Sequence, residues 1–176
     1  AIRNLVTTWA KALSPARNGA GRNGNNGHAG AVGPPSLKIG NPAPQFQIPD
    51  LNGKIMSLAE FHGAETLMLF WNPQCGFCTR MLSDLRAWEL NAAEIEKPRL
   101  LVISTGSPEA NKEQDFLATV LLDQTFNVAH LFGVKGTPSA LLISAEGKIA
   151  SQVAVGADQV FALAQAKKDR LKSAVA

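Results

Sequence analysis

Cysteine is scarce in this chain, with only Cys75 and Cys78 among 176 residues. Two cysteines exclude a disulfide-rich scaffold. The three histidines, His28, His62 and His130, are scattered without H-x₃₋₅-H spacing, so they supply no four-ligand zinc site, and the sequence calls for no metal and no cofactor. No apolar run approaches the ~18–20 residues of a membrane span. Acid is missing from residues 1–38, which hold five Lys/Arg, whereas residues 39–176 hold twelve Lys/Arg against fourteen acids. The net charge of +3 therefore belongs to the N-terminal tail, and the body sits near −2. That balance argues against a nucleic-acid groove on the body. Position 1 is Ala rather than Met, which reads as a fragment or processed chain with a signal or anchor upstream.

The chain is long enough for one domain with a buried core and a tail. Residues 2–13 (IRNLVTTWAKAL) carry apolar groups at helical spacing and predict a short, loosely held helix, with an interfacial helix or the stub of a membrane anchor as the alternatives. Residues 15–36 are rich in Gly, Asn and Pro and predict a flexible linker, so the division expected is a basic tail and linker over 1–38 and a domain over 39–176. Phe46 and Ile48, the turn Asn52-Gly53 and residues 54–56 predict a small hairpin. Ser57 and Glu60 have the spacing of a capping box for a short helix ending near His62-Gly63. TLMLFWN (66–72) and RLLVIST (99–105) read as buried strands. Between them, Met81, Leu82, Leu85 and Trp88 stripe a helix running from Cys75 into the mid-90s. Ser107-Pro108 opens a helix expected to reach Ala118, followed by a strand at 119–123 and a short helix at 126–133 closed by Gly133. Two strands paired through Glu146-Gly147 and a terminal helix from an Asp158 N-cap to Lys172 complete an α/β sheet covered on both faces.

The cysteine pair has three readings: a metal clip, a pair of inert buried thiols, or a redox couple. Its placement favours the last. Cys75 falls where a buried strand hands over to a helix, and the free N–H groups and dipole there favour a thiolate. Cys78, one turn further on, is placed to attack a mixed disulfide formed at Cys75.

WNPQCGFC after a buried strand, with VKGTPSALLI about sixty residues later, resembles the thioredoxin fold over about residues 39–166. The opening IGNPAPQFQIPDLNGKIMSLAEF and the extra segment at 107–123 resemble the TlpA-like, AhpC/TSA (redoxin) branch. The resemblance implies a central mixed sheet with helices on both faces and a cis peptide before Pro138. It also implies a substrate segment pairing with the backbone at Thr137. Trp71 would pack beneath the active loop, while Phe77 and Trp88 would be rim or helix-face groups and His130 a solvated surface residue. The departures are specific. Leu69 stands where thioredoxins keep a buried acid, and Met81 where some cytochrome-maturation reductases place Glu. Pro73-Gln74 precedes the first cysteine, and the dipeptide between the cysteines is Gly76-Phe77 rather than Gly-Pro. No carboxylate is left to serve Cys78 as a base.

The leading expectation is a thiol–disulfide oxidoreductase acting on protein thiols and disulfides and served by an upstream redox partner. In it Cys75 attacks, Cys78 resolves, and Thr137 and Pro138 hold the substrate. A redoxin-type peroxidase is the first alternative. Its P-x-x-x-T-x-x-C arrangement is absent, because Met68 and Asn72 occupy the Pro and Thr places. A non-enzymatic interaction module is the second. The family branch and the tail suggest a monomeric extracytoplasmic domain, in the periplasm or on the outer face of the cytoplasmic membrane, tethered upstream of residue 1. A basic, acid-free N-terminus equally fits an organelle transit peptide or a cytoplasmic juxtamembrane segment. A modest lowering of the Cys75 pKa sets the expected potential between ~−270 mV, that of thioredoxin, and ~−120 mV, that of the strongest periplasmic oxidant.

Overall fold

The computed structural model describes residues 37–91 and 97–174, with side chains to residue 165. The expected helix at 2–13, the linker at 15–36 and any extension of the first long helix beyond residue 91 lie outside the described residues. In chain order the strands are β1 (Gln47–Pro49), β2 (Ile55–Ser57), β3 (Thr66–Trp71), β4 (Arg99–Ser104), β5 (Thr119–Leu122), β6 (Ser139–Ile143) and β7 (Ala154–Val155). The helices are α1 (Gly76–Leu90), α2 (Pro108–Lys112), α3 (Asn127–Leu131) and α4 (Ala157–Ala174), with a 3₁₀ turn at Leu58–Phe61.

The apolar run TLMLFW becomes β3, buried at every position, and this is why it lies in the middle of the sheet. The sheet order is β5-β4-β3-β6-β7. β3, β4 and β5 run parallel, β6 is antiparallel to β3, and β7 is antiparallel to β6 and so runs in the direction of β3. β1 and β2 form a separate hairpin. Strand alternation divides the core in two. Met68 and Phe70 join Leu58, Phe61, Phe132 and Leu141 on one face. Leu67, Leu69 and Trp71 join Met81, Leu85 and Val160, from α1 and α4, on the other. This is the mixed sheet with helices on both faces that the resemblance implies.

The capping box forms, with the Ser57 N–H donating to Glu60 Oε1 at 2.8 Å. Three boundaries differ from expectation. α2 stops at Lys112 instead of reaching Ala118, because α1 takes up the segment that follows. Arg86 Nε donates to the Gln114 carbonyl at 2.9 Å, Glu89 Oε1 accepts the Ala118 N–H at 2.8 Å, and Asp115 turns to φ +51°. Asp158 is not the N-cap of α4 but lies in its first turn. Gly156, at φ +85°, caps the helix by accepting from the Val160 N–H at 3.0 Å. Gly156 is held in place by its own N–H, which donates to the Pro138 carbonyl at 2.9 Å. Finally, the chain after Gly147 is not one continuous strand. Ile149 bridges Ile143, β7 pairs only with Ser139 and Ala140, and between them the Leu142 N–H donates to Ser151 Oγ at 2.8 Å.

Candidate active site

β3 ends at Trp71, and the next four residues form the turn that presents Cys75. Asn72 organises it. Its Oδ1 accepts the Gln74 N–H at 2.8 Å and its carbonyl accepts the Cys75 N–H at 3.0 Å, while Pro73 supplies a fixed φ. Gly106, after β4, packs directly on this turn. A Cβ there would collide with Pro73 Cγ, and it would stand 2.7 Å from Pro73 Cδ and 3.0 Å from Asn111 Nδ2. Cys75 is the N-cap residue of α1, with extended backbone (φ −82°, ψ 119°). Its carbonyl accepts the Thr79 N–H at 2.9 Å and the Thr79 hydroxyl at 3.0 Å.

The second wall comes from the loop before β6. The Thr137-Pro138 peptide is cis, and the Thr137 carbonyl accepts from Cys75 Sγ at 3.3 Å. Residues 62 apart in sequence thus meet at one sulfur. Ser139 Oγ donates to the Gly136 carbonyl at 2.7 Å and braces the turn.

The two thiols, both reduced, differ in environment. Cys78 is fully buried with Leu69, Trp71 and Met81, and burial pushes its pKa up to about 11, reinforced by the charge of Cys75 when that thiol ionises. Cys75 is half-buried. Partial burial opposes its ionisation, but the N–H groups of Cys78 and Phe77, together with Thr137, outweigh that and draw the pKa below the ordinary thiol value. No N–H makes a strict capping hydrogen bond to Sγ, so the lowering is modest in origin: several dipoles rather than one partner. The pair consists of an accessible, acidified sulfur above a protonated one.

The remaining residues singled out from the sequence fall as follows. Leu69 and Met81 are buried beside Cys78, so both of these positions are apolar. Trp71 is buried under the turn and meets Phe116 edge-on at 5.4 Å. Trp88 is packed on α1 with Lys97 Nζ 4.9 Å from its ring, and Phe77 is 67% exposed at the rim. His130 is exposed, edge-on to Phe126 and away from the cysteines in sequence and element. Among the described residues no group of three or more His, Cys, Asp or Glu could hold a metal ion. Sequence reading passed over Asn72 and Gly106 as positioning groups. Asn-Pro is a turn signal and could have identified the first. Nothing local marks Gly106, whose partner is 33 residues away.

Comparison with known proteins identifies the family and the fold. The AhpC/TSA family matches residues 39–152. The thiol-disulfide oxidoreductase ResA of Bacillus thuringiensis subsp. konkukian is 27% identical over 124 residues, covering 66% of this chain and 70% of that protein. Peroxiredoxin Bcp of Escherichia coli is 33% identical over 132 residues, covering 64% of this chain and 83% of the relative. The crystal structure of the thioredoxin domain of a thiol-disulfide oxidoreductase from Bacteroides vulgatus superimposes with a TM-score of 0.58 at 24% identity, over 72% of this chain and 95% of that domain, and shares the fold. The chain belongs to the AhpC/TSA family, as an oxidoreductase of its thioredoxin-fold, TlpA-like redoxin branch.

Proposed function

We propose that this protein is a dithiol–disulfide oxidoreductase of protein substrates in which Cys75 attacks and Cys78 resolves. The observation that carries the reading is the split in the pair, an acidified half-buried Cys75 against a buried Cys78 held protonated. The Cys75 thiolate attacks a substrate disulfide, forming Cys75–S–S–R and expelling one substrate thiolate. Cys78 then loses its proton and attacks the Cys75 sulfur, which expels the second thiolate. Substrate gains two electrons and two protons, and the protein is left with a Cys75–Cys78 disulfide for the upstream partner to reduce. Thr137 and Pro138 flank the attacked sulfur, where an extended segment can pair with the Thr137 backbone.

With Leu69 and Met81 in place of acids, no neighbouring carboxylate lowers the barrier to deprotonating Cys78, so resolution is the slow step. Cys78→Ser should therefore accumulate mixed disulfides with protein substrates, and Cys75→Ser should abolish insulin reduction. Retention of turnover by Cys75→Ser would overturn the reading. Thiolate stabilisation at Cys75 favours the reduced form, which supports a potential above thioredoxin's ~−270 mV and below ~−120 mV. Equilibration with glutathione, read by Trp71 fluorescence, measures it; a value at or below thioredoxin's would mark a dedicated reductase.

The similarity to peroxiredoxin Bcp supports a second reading, peroxide reduction at Cys75. The P-x-x-x-T-x-x-C places hold Met68 and Asn72, so no hydroxyl stands there to polarise a peroxide. Stopped-flow mixing with hydrogen peroxide separates the two, since fast consumption belongs only to the peroxidase. We further propose that the domain over 39–176 works outside the cytoplasm and is tethered upstream of residue 1. Among the described residues no helix is long and apolar enough to cross a membrane. Fractionation of cells expressing the complete gene product tests the placement.

A further inference from the structure

The segments that frame Cys75 carry cations, and the next acid along the chain is Glu109, in the first turn of α2. The segments framing the sulfur, residues 72–80, 104–108 and 134–139, contain Arg80 and Lys135 and no carboxylate. The body as a whole has more acids than bases, so this local excess runs against the average. Arg80 lies over the active-site dipeptide. Its guanidinium carbon is 4.6 Å from the Phe77 ring centroid, and its Nη1 is the atom nearest to where a Gly76 side chain would begin, at 3.9 Å. Phe77 itself is 67% exposed. Among the described residues Arg80 makes no ion pair, even though Asp84, one turn along α1, is exposed and in reach by sequence. Lys135 is exposed on the loop leading to Thr137. Asp50, the acid of the β1–β2 turn, has Oδ1 occupied by the N–H groups of Asn52 and Lys54.

A guanidinium stacked on an aromatic ring is oriented and keeps its outward N–H donors free for a carboxylate. An extended segment laid along Thr137 with its cysteine at Cys75 would place its flanking side chains against Lys135 on one side and Arg80-Phe77 on the other. We infer that Arg80, stacked on Phe77, and Lys135 select protein substrates whose reactive cysteine is flanked by Asp or Glu. This inference rests on the oxidoreductase reading and names its substrate class.

The probes are three symmetrical peptide disulfides, formed from short blocked peptides with Glu-Cys-Glu, Gln-Cys-Gln or Lys-Cys-Lys at the centre. Oxidation of the reduced protein by each is followed by Trp71 fluorescence. Each rate is divided by that of the same disulfide with mercaptoethanol, which removes the effect of flanking charge on the leaving thiol. The chemistry in each case is one peptide disulfide reduced to two thiols and one protein dithiol oxidised to its disulfide. At low salt the normalised rate for the Glu peptide should exceed that for the Lys peptide about three- to tenfold, and salt should compress the ratio. Arg80→Gln should reduce the ratio, Arg80→Lys should keep most of it, and Arg80→Glu should invert it. Circular dichroism and the Gln-peptide rate, measured for each variant, separate a misfolded site from a changed preference. A ratio that stays the same in wild type, Arg80→Gln and Arg80→Glu overturns the inference while leaving the oxidoreductase reading intact. Failure of all three peptides to oxidise the wild-type protein overturns both.

Discussion

At Cys78 the low polarity of the surrounding Leu69, Trp71 and Met81 side chains holds the proton on sulfur, which sets a pH dependence for the reduced protein. Its pKa is raised by folding, to about 11. The folded chain therefore binds more protons than the unfolded one between ~8.5 and that value. The associated stability is complete below ~8.5 and is lost as pH rises toward the folded pKa, about 2–3 kcal/mol in all. Cys75 has the opposite sign, since its pKa is depressed: its contribution is present above ~8.5 and lost as pH falls through the folded value. Urea denaturation of the reduced protein should thus show stability falling between pH 9 and 10 relative to the disulfide form. The chain has no tyrosine to confuse that window. A level or rising difference would contradict the burial argument. Gly106 acts at the same scale. Gly106→Ala drives a methyl group into Pro73 and shifts the turn that holds Cys75, so the Cys75 pKa, read from thiolate absorbance, should rise toward the ordinary value. Stability should drop by about 1–3 kcal/mol. An unmoved pKa would show that Pro73 yields without disturbing the sulfur.

Among the elements, α3 depends most visibly on one side chain. It is only five residues long and is entered through Phe126 at φ +58°, so its own hydrogen bonds contribute little. Asp123, 3% exposed at the end of β5, spans it instead. Oδ1 accepts the Asn127 N–H at 2.9 Å and Oδ2 the Ala129 N–H at 3.0 Å. Asp123→Ala leaves two N–H groups without their acceptors and should cost about 1–3 kcal/mol, with Asp123→Asn in between. A loss below about 0.5 kcal/mol in chemical denaturation would mean that water replaces the carboxylate. Gly133 predicted where α3 closes, and it does so at φ +67°, but the acceptor of its first N–H groups is Asp123, just past β5, which carried no helical signal.

For the whole molecule, the two core clusters among the described residues draw on the 3₁₀ turn, the strands and the helices between Ala43 and Ala164. Residues 15–36 are rich in Gly, Asn and Pro and nearly free of large apolar side chains, so removing residues 1–36 should leave the melting temperature and the thiol–disulfide exchange rate of the body unchanged within error. Calorimetry of the shortened chain checks it. A loss of several kcal/mol would place the apolar positions of the 2–13 segment on the body and extend the domain to include them.

Sequence alone determined the features that rest on neighbouring residues. The uninterrupted apolar run fixed β3 as a central strand, the Ser57/Glu60 spacing is the capping box observed, and strand-CysGlyPheCys-helix put an acidified thiol at a helix start. The cis peptide before Pro138 was reachable only through family resemblance, because a proline by itself permits either isomer. Tertiary structure decided what depends on partners far along the chain. α2 was cut short because Arg86 and Glu89 of α1 claim the backbone after it, and α4 starts just after Gly156, whose N–H the Pro138 carbonyl holds. The same holds at the site. Contact of Thr137 with Cys75 and of Gly106 with Pro73 joins segments that sequence separates. Their effect is set by distance in space, on which periodicity and composition carry no information.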